Sequence, residues 1–111
     1  MATAQFVHDG RSIDYTPASA VTAGDVVVQG DLVGIAKLDI AASALGALAV
    51  TGVFDVPKTA GQGTAIAAGK KVYWDATNKV ATETAQGNTY LGKTVAAAAD
   101  ADTTVRVRLS Q

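Results

Sequence analysis

Glycines recur at short intervals along this chain, and their spacing limits how long a helix or strand can be. The 11 glycines run from Gly10 to Gly92, often about 6 to 12 residues apart. Turn signals at such intervals are typical of many short strands and leave little room for long helices. Val and Thr are abundant between the glycines, and both residues favour pleated structure. The pattern therefore predicts an all-β protein.

Three segments predict β-hairpins. In the first, Gln5–His8 and Arg11–Tyr15 flank Asp9-Gly10, a pair that suits a type I′ turn. The second joins Val26–Gln29 to Leu32–Ala36 through Gly30-Asp31, and the third joins Val72–Asp75 to Lys79–Thr82. A further strand is predicted over Thr103–Leu109, where strict alternation places Val105, Val107 and Leu109 on the inner face.

Two segments stay ambiguous, and one similarity along the chain stays open. Ile40–Leu48 suits a helical turn or an Ala/Gly loop, and Thr94–Asp100 suits a short helix or a strand entering a turn. Ala20–Val28 aligns weakly with Ala65–Tyr73 through a shared Ala-Gly-polar-x-Val element. This similarity indicates either a duplicated β-unit or repeated use of one common turn.

The expected architecture is a small β-barrel or sandwich of short antiparallel strands, with at most one or two short helical turns. Residues 1–5 are small and polar and form an N-terminal arm, and residues 6–111 form a single all-β domain. Alone, such an arm is expected to be disordered.

Composition excludes several functional classes. The net charge is −1 and the basic residues are scattered along the sequence, whereas a nucleic-acid binder normally carries a basic stripe. The absence of cysteine rules out disulfides and thiolate chemistry, and one histidine makes a His-based metal site implausible. No stretch matches a signal peptide or a membrane span, so we expect a soluble protein with no membrane partner, made in a cytoplasm.

One segment matches the sequence pattern of a catalytic motif. Gly87–Thr94 fits the P-loop pattern G-x-x-x-x-G-K-[ST], in which backbone N–H groups wrap phosphates and the Thr hydroxyl holds Mg²⁺. That function needs a buried strand before the loop and a long helix after it, and neither is predicted here. We therefore expect a turn that enters a strand, with Leu91 and Val95 buried, and keep an ATP-binding recombinase only as an alternative.

The remaining candidate residues point away from catalysis. The aspartates mostly flank predicted turns, where Asp binds its own backbone, and no serine lies in a hydrolase motif. We therefore expect no catalytic residue, no cofactor and no metal site. Tyr73 and Trp74 are adjacent on a predicted strand, so one ring should enter the core and the other should face outward. An exposed aromatic ring leaves a carbohydrate-binding virion module as a second alternative.

Taken together, several segments resemble the DUF2190 family of bacteriophage and prophage proteins. The resemblance covers the chain from about Phe6 to Leu109 and rests mostly on turns and strands. Its segments are Phe6-Val7, Asp9-Gly10, Ile13–Pro17, Ala23–Val27, Leu32–Ala36, Gly52–Lys58, Ala68–Asp75 and Val105–Leu109. Lys70 departs from the acidic residue that often follows Ala-Gly in the family, and this change leaves the turn intact.

The resemblance implies a capsid cement or head-decoration protein, although the family has also carried a RecA/RadA-type recombinase label. Members bind the outside of the mature phage head, often as trimers. The expected partners are therefore the major capsid protein and further copies of this chain, and nucleic acid is not expected. We expect capsid or subunit contacts at Ala2, Thr3, Ala4, Gln5, Phe6 and Trp74.

Overall fold

A computed structural model describes residues 3–110, which fold into nine β-strands. No helix occurs among these residues. The strands are β1 (Ser12–Tyr15), β2 (Val26–Gln29), β3 (Leu32–Ala36), β4 (Gly46–Ala49), β5 (Gly52–Pro57), β6 (Lys71–Asp75), β7 (Val80–Thr82), β8 (Thr89–Thr94) and β9 (Thr104–Leu109).

The strands form two antiparallel sheets that are not closed into a barrel. The first sheet has four strands in the order β1-β4-β3-β2, and the second has five in the order β5-β9-β8-β6-β7. The second sheet curls so that its two edges approach each other. One β-bridge joins Lys58, which directly follows β5, to Ala81 of β7. The prediction of an all-β fold is confirmed, and of its two forms the sandwich is the one observed.

The two sheets are two versions of one four-strand unit. The order β1-β4-β3-β2 has the same topology as β5-β9-β8-β6, and β7 is an additional strand at one edge. Gly24 and Gly69 both have positive φ, and their N–H groups donate to the last residues of β3 and β8, Ala36 and Thr94. The structure therefore favours a duplicated β-unit over repeated use of a common turn.

The main core lies between the two sheets. The second sheet contributes most of it, and Val33 and Ile35 of β3 pack against that layer. The second-sheet residues are Val56, Val72, Trp74, Ala81, Leu91, Val105, Val107 and Leu109, and Ile66 and Ala98, which form an isolated bridge between two loops, complete the cluster. A smaller cluster of Ala36, Ile40 and Leu48 lies on the other side of the first sheet. Burial of these apolar side chains is the main stabilising contribution available to a domain of this size.

Most local predictions are confirmed. The second and third hairpins are β2–β3 and β6–β7, and β9 buries Val105, Val107 and Leu109 as its alternation predicted. Ile40–Leu48 is a loop that runs into β4 rather than a helical turn. Thr94–Asp100 ends β8 and continues into a turn, which is the strand alternative.

The first predicted hairpin is wrong. Residues 5–8 form no strand, and β1 pairs instead with β4, where Ile13 lies opposite Leu48. The side chains of Ile13 and Tyr15 pack against the smaller core cluster, whereas Phe6 and Val7 stay exposed. Burial of the β1 side chains against a distant strand therefore outweighs the local turn signal of Asp9-Gly10.

One buried cation joins two loops outside the strands. Lys58 directly follows β5, and its ammonium donates to the carbonyls of Thr59 (2.8 Å) and Asp102 (3.1 Å) and to the Thr64 hydroxyl (3.2 Å). These three acceptors match the three donors of an ammonium group. The side chain therefore links the loop after β5 to the loop before β9.

Gly92 lies where β8 approaches β9 too closely for a side chain. A Cβ atom at this position would overlap the backbone carbonyl of Arg108. Gly92 is opposite Leu109 on β9 and opposite Val72 on β6, so the contact lies in the middle of the second sheet.

We expect Gly92→Ala to lower the free energy of unfolding by about 3 kcal/mol, because the added methyl must push apart two central strands. Gly10→Ala is the matched control, since a Cβ at Gly10 meets nothing within 4 Å and the residue does not need positive φ. Urea denaturation of both variants measures the difference. Equal stability of the two variants would contradict this packing.

Candidate functional site

The P-loop letters at Gly87–Thr94 form an antiparallel strand. Residues 89–94 are β8, and no helix follows them up to residue 110, where the described part of the chain ends. The Thr94 hydroxyl is buried, donates to the carbonyl of Ala67 (2.7 Å) and accepts the N–H of Lys70 (3.0 Å). Leu91 is buried as expected, but Val95 is 47% exposed, which corrects that part of the prediction. The loop and helix that would hold a nucleotide are not formed.

The N-terminal residues expected to contact partners lie outside the packed sheets. Thr3, Ala4, Gln5 and Phe6 are all exposed and belong to no strand, and Ala2 lies outside the described residues. Phe6 and Val7 are 78% and 81% exposed. Within residues 3–110, no hydrogen bond joins the stretch 3–10 to the rest of the chain. We call this exposed stretch, residues 3–10, the N-terminal segment. It extends past residue 5 and includes the two apolar side chains of Phe6 and Val7.

Of the adjacent aromatic pair, Trp74 enters the core and Tyr73 faces outward. Trp74 is only 6% exposed and belongs to the main core cluster, so its ring offers almost no surface to a partner. Tyr73 is half-buried and contacts Tyr90 edge to face, with 5.6 Å between the ring centroids. The structure thus provides no exposed tryptophan for the carbohydrate-binding alternative.

Three cations that are scattered in the sequence align on the outer face of the second sheet. Lys71 of β6 lies opposite Lys93 of β8, and Lys93 lies opposite Arg108 of β9. All three side chains are exposed. We call Lys71, Lys93 and Arg108 the cation row. The row could not be predicted from the sequence, because the pairing of β6 with β8 and of β8 with β9 is non-local.

A fourth cation on this face is paired. Arg106 donates to both carboxylate oxygens of Asp55, at 2.9 and 3.2 Å. The hydrogen bond from Arg106, together with its charge, lowers the pKa of Asp55 below the ordinary value of 3.8, and the same contact raises the pKa of Arg106. Both side chains are more than half exposed, so the pair contributes little to stability.

A second carboxylate is perturbed by a turn rather than by a cation. The backbone and side-chain N–H groups of Asn78 donate to Asp75, with a weaker contribution from the backbone of Thr77, and they lower the pKa of Asp75. Asp75 therefore organises the β6–β7 turn. This is the turn role that the sequence predicted for most aspartates.

The part of the chain that the structure describes contains neither a metal-ligand cluster nor a membrane-spanning helix. Residues 3–110 contain no group of three or more His, Asp or Glu side chains placed to hold a metal ion. Within the same range, no helix is long and apolar enough to cross a bilayer. The prominent features are instead exposed surfaces: the N-terminal segment, the cation row and several uncovered apolar side chains.

Residues 3–110 thus form a small antiparallel sandwich whose buried side-chain polar atoms are all hydrogen-bonded and whose surface carries the cation row and exposed apolar side chains. The phage cement protein family matches residues 7–109, and the chain belongs to this family. The match includes both four-strand units and begins directly after Phe6. Comparisons with curated proteins and with solved structures gave no match.

Family membership confirms the resemblance drawn from the sequence and implies a structural, capsid-associated role at the virion surface. The family consists of structural virion proteins, which agrees with the expectation of a non-enzymatic protein. The recombinase alternative receives no support from the geometry of Gly87–Thr94.

We expect Arg106→Ala to raise the pKa of Asp55 back toward 3.8 and to leave Asp75 lowered, because the partners of Asp75 are Asn78 and Thr77. An NMR titration of the carboxyl carbons measures both groups in one sample. Since the folded-state pKa of Asp55 is lowered, its contribution to stability is present above 3.8 and is lost as pH falls through the lowered value. An unchanged Asp55 titration in Arg106→Ala would contradict the assigned cause.

Proposed function

We propose that the chain binds the outer surface of a phage head and reinforces contacts between neighbouring major capsid subunits. The observation that carries this proposal is the family match over residues 7–109, which spans the whole sandwich. The function is mechanical: each copy adds contact area across a subunit boundary, so the shell needs more work to open. In this proposal the chain is made in the host cytoplasm and then joins the head.

The surface composition suits a protein that is covered by neighbours. Charged residues make up 17% of the chain, below the roughly 25% that is usual for soluble domains. Leu38 and Leu45 are 76% and 71% exposed and line a groove of about 590 Å³ beside β1 and β4. Uncovered apolar surface of this kind marks contact sites. Small, weakly charged side chains also reduce the desolvation cost of close subunit contact.

We infer that the N-terminal segment is one of the elements that binds a neighbour. It has no backbone hydrogen bonds to the described remainder of the chain, so its N–H and C=O groups are free to pair with an exposed strand edge of another protein. Phe6 and Val7 supply apolar side chains for that contact. Thr3, Ala4, Gln5 and Phe6 are therefore retained as proposed contact residues, with Ala2 beside them, whereas the buried Trp74 is not.

The proposed assembly includes further copies of this chain, most simply as a homotrimer. The segment leaves the fold at Arg11 and Ser12, which also line the groove with Leu38 and Leu45. An arm that exits beside an apolar groove can reach the same groove on a neighbouring copy. Such head-to-tail contacts close into a ring when the rotation between copies allows it.

Removing the segment should weaken head binding without unfolding the domain. We expect deletion of residues 1–5 to reduce occupancy on heads, and deletion of residues 1–7 to reduce it further, because the second deletion also removes Phe6 and Val7. Thermal unfolding should stay close to wild type, since residues 3–7, the part of these deletions that the structure describes, bury no core side chain. Co-sedimentation with heads that lack the protein measures occupancy.

A variant with residues 1–5 replaced by Gly and Ser controls for arm length. Reduced binding of this variant would assign the effect to the residues rather than to the length of the chain. Undiminished decoration by both truncated forms would show that the segment is not a capsid contact.

A further inference from the structure

We propose that the cation row is the shell-facing surface of this protein and that it docks onto a carboxylate-rich patch of the major capsid protein. This inference rests on the proposed function, since it names the surface and the partner chemistry of head binding. It is carried by the placement of Lys71, Lys93 and Arg108 on three consecutive strands of one exposed sheet face.

The geometry gives a compact and directional charge pattern. Neighbouring strands lie about 4.8 Å apart, so the three Cα positions of the row span about 10 Å across the sheet. Val53 of β5 continues the row beyond Arg108 and is exposed, which adds an apolar end. On the same face, Tyr73 and Tyr90 form a half-buried pair of rings next to the lysines. Tyrosine and arginine are both enriched among the residues that contribute most to binding at protein interfaces.

The cation row lowers the stability of the isolated chain. Like charges directly opposite each other on paired strands are destabilising, and here two such pairs share Lys93. Among residues 3–110 the only ion pair joins Arg106 to Asp55, so none of the three row cations has a carboxylate partner. A partner that supplies carboxylates would turn this repulsion into attraction.

The chain's own carboxylates are poorly placed to supply that partner in a second copy. Six of the ten acidic residues already accept hydrogen bonds within their own chain: Asp25, Asp39, Asp55, Asp75, Asp100 and Asp102. The bonds of all but Asp55 hold turns and loops, and breaking them would cost stability, whereas Asp55 is already paired with Arg106 on the sheet. Charge complementarity therefore favours a different protein, and in the proposed function that protein is the capsid subunit.

A nucleic acid is a weaker fit to the same surface. Nucleic-acid affinity rests on many phosphate contacts, and this chain offers three unpaired cations on one face within a net charge of −1. A protein patch with two or three carboxylates matches the row in both number and extent.

The test compares removal of the cation row with removal of a lysine elsewhere on the surface. The row variant is Lys71→Gln, Lys93→Gln and Arg108→Gln. The control variant is Lys79→Gln, which removes the same charge as Lys93→Gln from an exposed position outside the cation row and outside the groove. Affinity for heads that lack the protein is measured by co-sedimentation at several salt concentrations. The single variant Lys93→Gln is measured alongside in case the triple variant does not fold.

We expect the row variant to bind heads about 10- to 100-fold more weakly than wild type, with a smaller salt dependence. The control variant should bind within about threefold of wild type, because the charge it removes lies outside the cation row. Lys93→Gln should give an intermediate loss. The thermal stability of the row variant should equal or exceed that of wild type, because the like-charge pairs are gone.

Other results would overturn the inference. Equal binding of the row and control variants would remove the row from the interface while leaving head binding itself intact. Loss of self-association without loss of head affinity would assign the row to a second copy. Tight wild-type binding to a single-stranded oligonucleotide that the row variant loses would assign it to nucleic acid. Failure of wild type to bind heads would overturn the proposed function, and the inference with it.

Discussion

The close approach of β8 to β9 at Gly92 is the contact on which the rest of the molecule depends. Because a side chain there would overlap the carbonyl of Arg108, glycine allows the two central strands of the second sheet to pair. That register places Val107 and Leu109 inside and Lys93 beside Arg108 outside. One backbone contact therefore fixes both the main core and the cation row. Gly92 and Lys93 are also the Gly-Lys pair of the Gly87–Thr94 segment, which matches the P-loop sequence pattern without forming its loop and helix.

Local sequence patterns predicted the elements whose partners are near in the chain. The β2–β3 and β6–β7 hairpins follow from their turn residues, and the inner face of β9 follows from its alternation. The pairing of β1 with β4 could not be predicted, because the partner of Ile13 is Leu48, which lies far along the chain. The cation row could not be predicted from the sequence for the same reason. Loops separate β6, β8 and β9 along the chain, and only the pairing of these strands brings the three charges together. Adjacent positions of Tyr73 and Trp74 predicted opposite faces, but only packing decides that tryptophan is the inner one.

Duplication of a four-strand unit explains how a short chain builds two sheets. The first unit forms the smaller sheet, and the second carries an additional edge strand, the larger share of the core and the exposed cations. The two halves thus have different surfaces although they share one topology. The proposed function assigns different roles to these surfaces: in it, one face meets the shell while the N-terminal segment reaches a neighbour. In the proposed assembly, the low charge of the chain corresponds to surface that other proteins cover.

A cryo-EM reconstruction of phage heads decorated with this protein tests the central claim most directly. The account predicts density for the sandwich on the outside of the shell, across boundaries between capsid subunits, with β6, β8 and β9 turned toward the shell and carboxylates opposite Lys93. Decorated heads in which that sheet face points to solvent would contradict the proposed orientation. Heads with no added density outside the shell, at saturating protein, would contradict the account as a whole.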